Sequence, residues 1–181
     1  YEYRKKLGSE LSKEDDINAD LIVPVPDSGN AAALGYSQNK NIKFDLGLIR
    51  NHYVGRTFIE PAQKIRSLGV KLKLNANKSS IKNKVIVLVD DSLVRGTTSY
   101  KIVNMLYEAG AKEVHLRIAS PEIKFPDFYG IDMPSKKELL AANMSVEEIC
   151  NYVKAKSLKF LSLNGLYKAM GFEKRSNDYP Q

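Results

Sequence analysis

The sequence predicts an α/β domain, an open parallel sheet flanked by helices, and three observations carry that expectation. Val85–Val89 (VIVLV) is apolar throughout and rich in β-branched residues. A strand exposed on one face would alternate, so this run suits a central strand covered on both sides. Thr97–Ala109 then sets Ile102, Val103, Leu106 and Ala109 at helical spacing and ends at Gly110, a residue suited to terminate a helix. Val114–Ala119 follows as another short apolar run. Strand, helix and strand in this order form a βαβ unit, whose crossover requires the two strands to be parallel.

The other elements follow in chain order. Tyr1–Leu7 reads as the middle of a helix with charges on one face, and with Tyr rather than Met at position 1 this predicts a fragment of a longer chain. Asp20–Pro26 (DLIVPVP) predicts a strand closed by Pro and Gly signals, and Ser28–Tyr36 a helix from its Ala and Leu content. Phe44–Ile49 predicts a second strand. Arg50–Leu74 is basic and punctuated by Gly55 and Gly69, with a weakly helical middle. Its apolar area is too small to repay backbone entropy, so it is expected to order only around an anionic ligand. Asn75–Lys84 is polar enough to be a loop. From Lys136 the chain turns helical twice, with Ser145 capping a helix that carries Glu147 and Glu148 in its first turn.

At 181 residues the chain has room for one well-packed domain, spanning residues 1–181. Its 43% hydrophobic and 27% charged residues exclude a disordered or coiled-coil chain. No apolar run approaches the ~18 residues of a membrane helix, so no membrane is expected among its partners. The single Cys150 excludes an intrachain disulfide and points to the cytoplasm. A net charge of +7 suits nucleic acid, an anionic surface or a polyanionic small ligand. Nucleic acid is disfavoured: there is no Trp, and the ten Tyr and six Phe do not interleave with basic residues as a stacking platform requires.

The chemistry concentrates in Val85–Tyr100 (VIVLVDDSLVRGTTSY). Ligands of open parallel sheets sit beyond the carboxyl ends of the strands, and this strand ends in two adjacent carboxylates, Asp90 and Asp91. Such a pair is relieved by a cation or by donors such as sugar hydroxyls. Arg95, Gly96, Thr97, Thr98 and Ser99 then lead into a helix whose free N–H groups and positive dipole end favour a phosphate. Taken singly, the carboxylates read as solvated loop residues and Thr97 or Thr98 as an ordinary cap; their tight sequence after a buried strand favours the ligand-binding reading. No Lys follows Gly96 as in a Walker loop, and the GxGxxG pattern is absent, so a nucleoside triphosphatase or dinucleotide enzyme is not expected.

VIVLVDDSLVRGTTS resembles the phosphoribosyl pyrophosphate signature of type I phosphoribosyltransferases, in the form found in the amidophosphoribosyltransferase family. VPVPDSGNAAALGYS, GLIRNHYVGRTFIEPAQKIR, VKLKLNANKS, EAGAKEVHLRIASPEI and FYGIDMPSKKEL resemble the same family's phosphoribosyltransferase half, so the likeness covers nearly the whole chain. It implies the type I phosphoribosyltransferase fold and the first step of purine nucleotide synthesis. In that step glutamine-derived ammonia displaces pyrophosphate from phosphoribosyl pyrophosphate to give 5-phosphoribosylamine. Residue by residue, it implies that Asp90 and Asp91 contact the ribose hydroxyls and Mg²⁺, that Ser28 completes the metal site, and that Arg95–Ser99 cradle the 5-phosphate. Arg56 and Lys73 match catalytic cations on a loop that closes over pyrophosphate. Purine nucleotides as inhibitors and a homo-oligomer are further implications.

Two departures qualify the likeness. The family's N-terminal cysteine nucleophile belongs to a glutaminase domain expected to be absent here, and Cys150 reads instead as a structural thiol. Where some members carry a cluster-ligating PCFYG motif, this chain has Pro126-Asp127-Phe128-Tyr129-Gly130, so no iron–sulfur cluster is expected. His52 and His115 receive no role. Two rivals stand beside this reading. A nucleobase phosphoribosyltransferase would need a base-stacking aromatic near the site, and a regulatory protein that binds without turnover would carry an appended DNA-binding helix pair or lack a catalytic-loop residue.

Overall fold

The computed structural model describes residues 1–51, 74–126 and 136–173. Four parallel strands, β1 (Leu21–Pro24), β4 (Val85–Asp90), β5 (Glu113–Ile118) and β6 (Ser157–Phe160), form one sheet in the order β1-β4-β5-β6. A parallel bridge from Phe44 to Ile22 extends its outer edge. As its composition requires, β4 lies inside the sheet between β1 and β5, and Ile86–Val89 are fully buried.

Alternation along β4 sorts its side chains into two cores. Ile86 and Leu88 join Val23, Leu116, and Ile102, Val103 and Leu106 of α3 (Thr97–Glu108) together with Ile149 and Val153 of α4 (Val146–Val153). Val87 and Val89 face the other way, onto Leu11 of α1 (Glu2–Lys13), Ala32, Ala33 and Tyr36 of α2 (Asn30–Lys40), and Leu161. Leu166 of α5 (Leu163–Ala169) packs on this second core. The result is the expected three-layer arrangement of helices on both faces of the sheet. Helices α1 and α2 touch backbone to backbone: a Cβ at Gly8 would lie 1.8 Å from the Ala32 carbonyl oxygen, and one at Gly35 would lie 1.9 Å from that of Lys5.

Several local expectations are corrected. Phe44–Ile49 is not one strand. After the Phe44 bridge, a turn closed by Gly47 N–H to the Asp45 carbonyl (2.9 Å) redirects the chain, and β2 (Leu48–Arg50) pairs antiparallel with β3 (Leu74–Ala76) in a separate ribbon. Asn75–Lys84 is therefore not all loop. Asn75 and Ala76 lie in β3, and Lys78–Ile81 forms a helical turn because Ile81 is fully buried. After Lys136 the chain makes a 3-10 turn (Lys136–Glu138), a helical turn (Leu140–Asn143) and α4, whose Ser145 cap is as expected. Ser145 Oγ accepts from the Glu148 N–H (3.2 Å), and Glu148 accepts from the Ser145 N–H (2.7 Å). Strand β6 and helix α5 were not anticipated, since SLKF is half-polar, as befits an edge strand with half-buried side chains.

Candidate functional site

The predicted ligand end is built by the carboxyl ends of β1, β4 and β5. Asp90 closes β4 with only 8% of its surface exposed. Ser28 Oγ donates to its Oδ1 at 3.2 Å, and the Asp91 N–H donates to the same oxygen at 2.8 Å. Asp91 is half-exposed and accepts from Ser92 Oγ at 3.1 Å. Ser28 reaches Asp90 because the turn after β1 passes directly over β4. A Cβ at Gly29 would lie 2.3 Å from the Val89 carbonyl oxygen, so only glycine permits this approach. Burial, reinforced by the negative charge of Asp91, pushes the Asp90 carboxyl up to about 7 against the opposing pull of the Asp91 N–H and the Ser28 hydroxyl.

This donor set fits a hard divalent cation. It offers carboxylate and hydroxyl oxygens, and its buried negative charge lacks a cationic partner among the described residues. No group of three or more His, Cys, Asp and Glu side chains is poised for a metal among the described residues, so a cation here would complete its shell from water and ligand oxygens. That is how Mg²⁺ is commonly held beside phosphates.

Six residues on, Gly96 stands at the N-cap of α3 with φ +68°. Neither Thr97 nor Thr98 caps the helix, and both side chains are exposed while Ser99 is buried. The N–H groups of Thr97, Thr98 and Ser99 precede the first i→i−4 bond, from Tyr100 N–H to the Gly96 carbonyl (2.9 Å), and so remain available to an anion. A side chain at Gly96 would be strained by its φ and would strike Leu140 Cδ1 at 2.4 Å. Arg95 is exposed and pairs with Glu138 at 3.3 Å. Ser28, Asp90, Asp91 and the Arg95–Ser99 loop thus share one end of the sheet, whereas Arg56, Lys73, His52 and Asp127–Gly130 lie outside the described residues.

Two features of this end escaped the sequence reading. Arg50, at the end of β2, donates to Asp27 at 2.6 Å and ties the ribbon to the turn that carries Ser28. Beside Asp91, a cleft of about 220 Å³ is roofed by α1 through Arg4 and Leu7. A larger hollow, about 620 Å³, lies beyond β6 against Phe125, Leu158 and Tyr167 and contains none of the predicted site residues. Cys150, half-buried, donates its S–H to the Ala155 carbonyl (3.3 Å), and burial pushes its thiol up. His115 is buried between Ser157 and Glu113.

No protein-family model matches the chain. Individual proteins do. The amidophosphoribosyltransferase of Rhizobium etli is 59% identical over 182 aligned residues, covering 100% of this chain and 37% of the relative. That of Bacillus subtilis is 52% identical over 168, covering 93% and 35%. The chain belongs to the amidophosphoribosyltransferase family. It spans little more than a third of the length of these relatives. The solved B. subtilis glutamine phosphoribosylpyrophosphate amidotransferase, complexed with ADP and GMP, superposes with a TM-score of 0.86 at 49% identity over 97% of this chain and 39% of that one. A structure described as the allosteric regulatory enzyme of purine biosynthesis gives 0.83 at 48% identity over 99% and 37%. The amidophosphoribosyltransferase likeness therefore extends across both cores and the sheet's ligand end. Among the described residues no helix is long and apolar enough to cross a membrane.

Proposed function

We propose that this chain is the phosphoribosyltransferase part of an amidophosphoribosyltransferase, a glycosyltransferase that forms 5-phosphoribosylamine from phosphoribosyl pyrophosphate and ammonia. The observation that carries the reading is the juxtaposition of a buried, cation-seeking Asp90–Asp91 pair with an uncapped helix start behind a left-handed glycine. A ribose 5-phosphate has its hydroxyls at one end and its phosphate at the other, and this site offers acceptors and N–H donors in the same order.

Asp90 and Asp91 would hold the ribose hydroxyls and, with Ser28, Mg²⁺; Arg95–Ser99 would fix the 5-phosphate, setting C1 in place for displacement. When bound, the cation supplies charge stabilisation to the departing pyrophosphate. Arg56 and Lys73 would close over that group and exclude water. The bond from C1 to the pyrophosphate oxygen breaks as the ammonia nitrogen bonds to C1, and the nitrogen then loses a proton. A glutaminase part outside these residues would deliver the ammonia. We further propose inhibition by purine nucleotides, a homo-oligomeric state, a cytoplasmic setting and no iron–sulfur cluster, the last because Cys150 is the chain's single cysteine.

Calorimetry with phosphoribosyl pyrophosphate and Mg²⁺ should give saturable binding, and ammonium salts above pH 8 should support pyrophosphate release by these residues alone, whereas glutamine should not. Absence of binding by the folded protein overturns the reading.

A further inference from the structure

Helix α1 presents Arg4, Leu7, Gly8 and Leu11 on one face, the i, i+3, i+4, i+7 stripe. Leu11 is fully buried in the core, and Gly8 lies against the Ala32 backbone, so this face is turned toward the body of the protein. Arg4 continues the stripe past the end of the core. Its side chain is exposed and borders the ligand end of the sheet. There it lines the cleft whose polar walls are Ser28, Asp91 and Ser120 and whose apolar walls include Leu7 and Leu166.

The polar groups around Arg4 are already assigned. Ser28 donates to Asp90, Ser120 Oγ donates to the Pro121 carbonyl (3.2 Å), and Asp91 accepts from Ser92. The Arg4 side chain forms no hydrogen bond or ion pair with any described residue. An exposed guanidinium at the end of this stripe, its five donors unpaired among the described residues, beside a carboxylate suited to a cation, fits a ligand that is both anionic and cation-bound. At about 220 Å³ the cleft is smaller than the ~300–1,000 Å³ that encloses drug-sized molecules, so it suits a small anion and not a nucleoside.

We propose that Arg4 binds the Mg²⁺-bound pyrophosphate group from the α1 side, adding a helix-borne cation to the leaving-group site. This rests on the functional reading above. It assigns Arg4 to the diphosphate and leaves the 5-phosphate to the Arg95–Ser99 loop. The helix held by Gly8 and Gly35 would place that charge before the ligand arrives, which lowers the ordering cost of binding.

The test is calorimetry of wild type, Arg4→Gln and Arg4→Lys with two probes, inorganic pyrophosphate plus Mg²⁺ and ribose 5-phosphate, with a thermal melt to verify folding. Arg4→Gln should bind pyrophosphate on the order of tenfold more weakly, the loss expected for a charge-assisted hydrogen bond, while ribose 5-phosphate stays within about twofold of wild type. Arg4→Lys should fall between the two, because it keeps the charge and loses the fork. Unchanged pyrophosphate affinity in Arg4→Gln, an equal loss for both probes, or a wild type that binds ribose 5-phosphate and not pyrophosphate would each overturn the assignment. A folded wild type that binds neither probe would overturn the functional reading and the assignment with it.

Discussion

Asp15 and Asp90 are both buried carboxylates, exposed by 5% and 8%, yet their surroundings are opposite. Asp15 follows α1 and faces Arg117 of β5, whose Nε and Nη2 both donate to it, the latter at 3.1 Å, while Tyr36 Oη donates at 2.5 Å. Burial pushes the Asp15 carboxyl up, but the hydrogen bonds from Arg117 and Tyr36 and the charges of Arg117 and Lys159 outweigh it and hold the group below its ordinary value. The same partnership, on top of burial, drives the Tyr36 hydroxyl well above its ordinary value. Asp90 has a serine hydroxyl, a neighbouring N–H and a second carboxylate, and burial prevails. One aspartate is paired with a cation within the fold, and the other has no cationic partner among the described residues. That difference separates a structural carboxylate from a functional one more sharply than burial does.

The largest effect should come from breaking the complete site. Asp15→Asn leaves the Arg117 guanidinium buried without a counter-charge, with one neutral amide oxygen in place of two carboxylate oxygens beside the Leu116 carbonyl and the Ser157 backbone and hydroxyl acceptors. Removing one member of such a pair typically costs about 3–5 kcal/mol, and urea denaturation should show a loss of that size. A loss below about 1 kcal/mol would mean that the cluster is solvated and the contrast with Asp90 is wrong. The pH dependence sharpens the point. Because the folded-state value of Asp15 lies below its ordinary 3.8, its contribution is fully present above that pH and disappears as pH falls through the lower folded value. The stability gap between wild type and Asp15→Asn should therefore stay level from neutral pH to about 5 and close below about 4.

The unfinished site should respond in the reverse sense. Asp90→Asn removes a buried charge whose only charged neighbour among the described residues, Asp91, repels it, so the fold should lose no more than about 1 kcal/mol and can gain. Phosphoribosyl pyrophosphate with Mg²⁺ should bind about 1–3 kcal/mol more weakly through lost charge-assisted contacts. Paired melting and calorimetry decide it. Destabilisation as large as that of Asp15→Asn, with binding intact, would place Asp90 among the structural carboxylates.

This contrast also marks how far the sequence was legible. Asp90, Asp91 and the 95–99 loop are contiguous, so a strand's end, a turn and a helix start appear together in one window, and the parallel sheet follows from the flanking apolar runs. Asp15 and Arg117 are 102 residues apart, and Asp15 and Tyr36 are 21 apart. An Arg in the alternating EVHLRI strand carries no local sign that it points at a carboxylate after α1. Ser28 was legible through family resemblance alone, since its tie to Asp90 depends on the close pass of Gly29 beneath Val89. The antiparallel β2–β3 ribbon was missed for a related reason. Its two strands are three residues each, too short for an alternation to show, and their pairing spans the whole segment between Arg50 and Leu74.

The smallest effect concerns Arg95, whose pairing with Glu138 at 3.3 Å differs from both aspartate sites in being half-exposed on each side. Exposed pairs are worth about 0–1 kcal/mol because solvent screens the attraction and two long side chains must be ordered to make it. Glu138→Gln should leave stability within about 0.5 kcal/mol of wild type. Its consequence should lie in the ligand. If Arg95 belongs to the 5-phosphate loop, Glu138 competes with that phosphate for the guanidinium, and neutralising it removes the competitor while leaving the N–H groups of Thr97–Ser99 untouched. Ribose 5-phosphate should then bind slightly more tightly, by about twofold, with the gain shrinking as salt screens the interaction. Weaker binding in Glu138→Gln would show instead that the pair orients Arg95 toward the phosphate. The exposed contact would then belong with the Asp15 cluster, as a partnership the fold needs before ligand arrives.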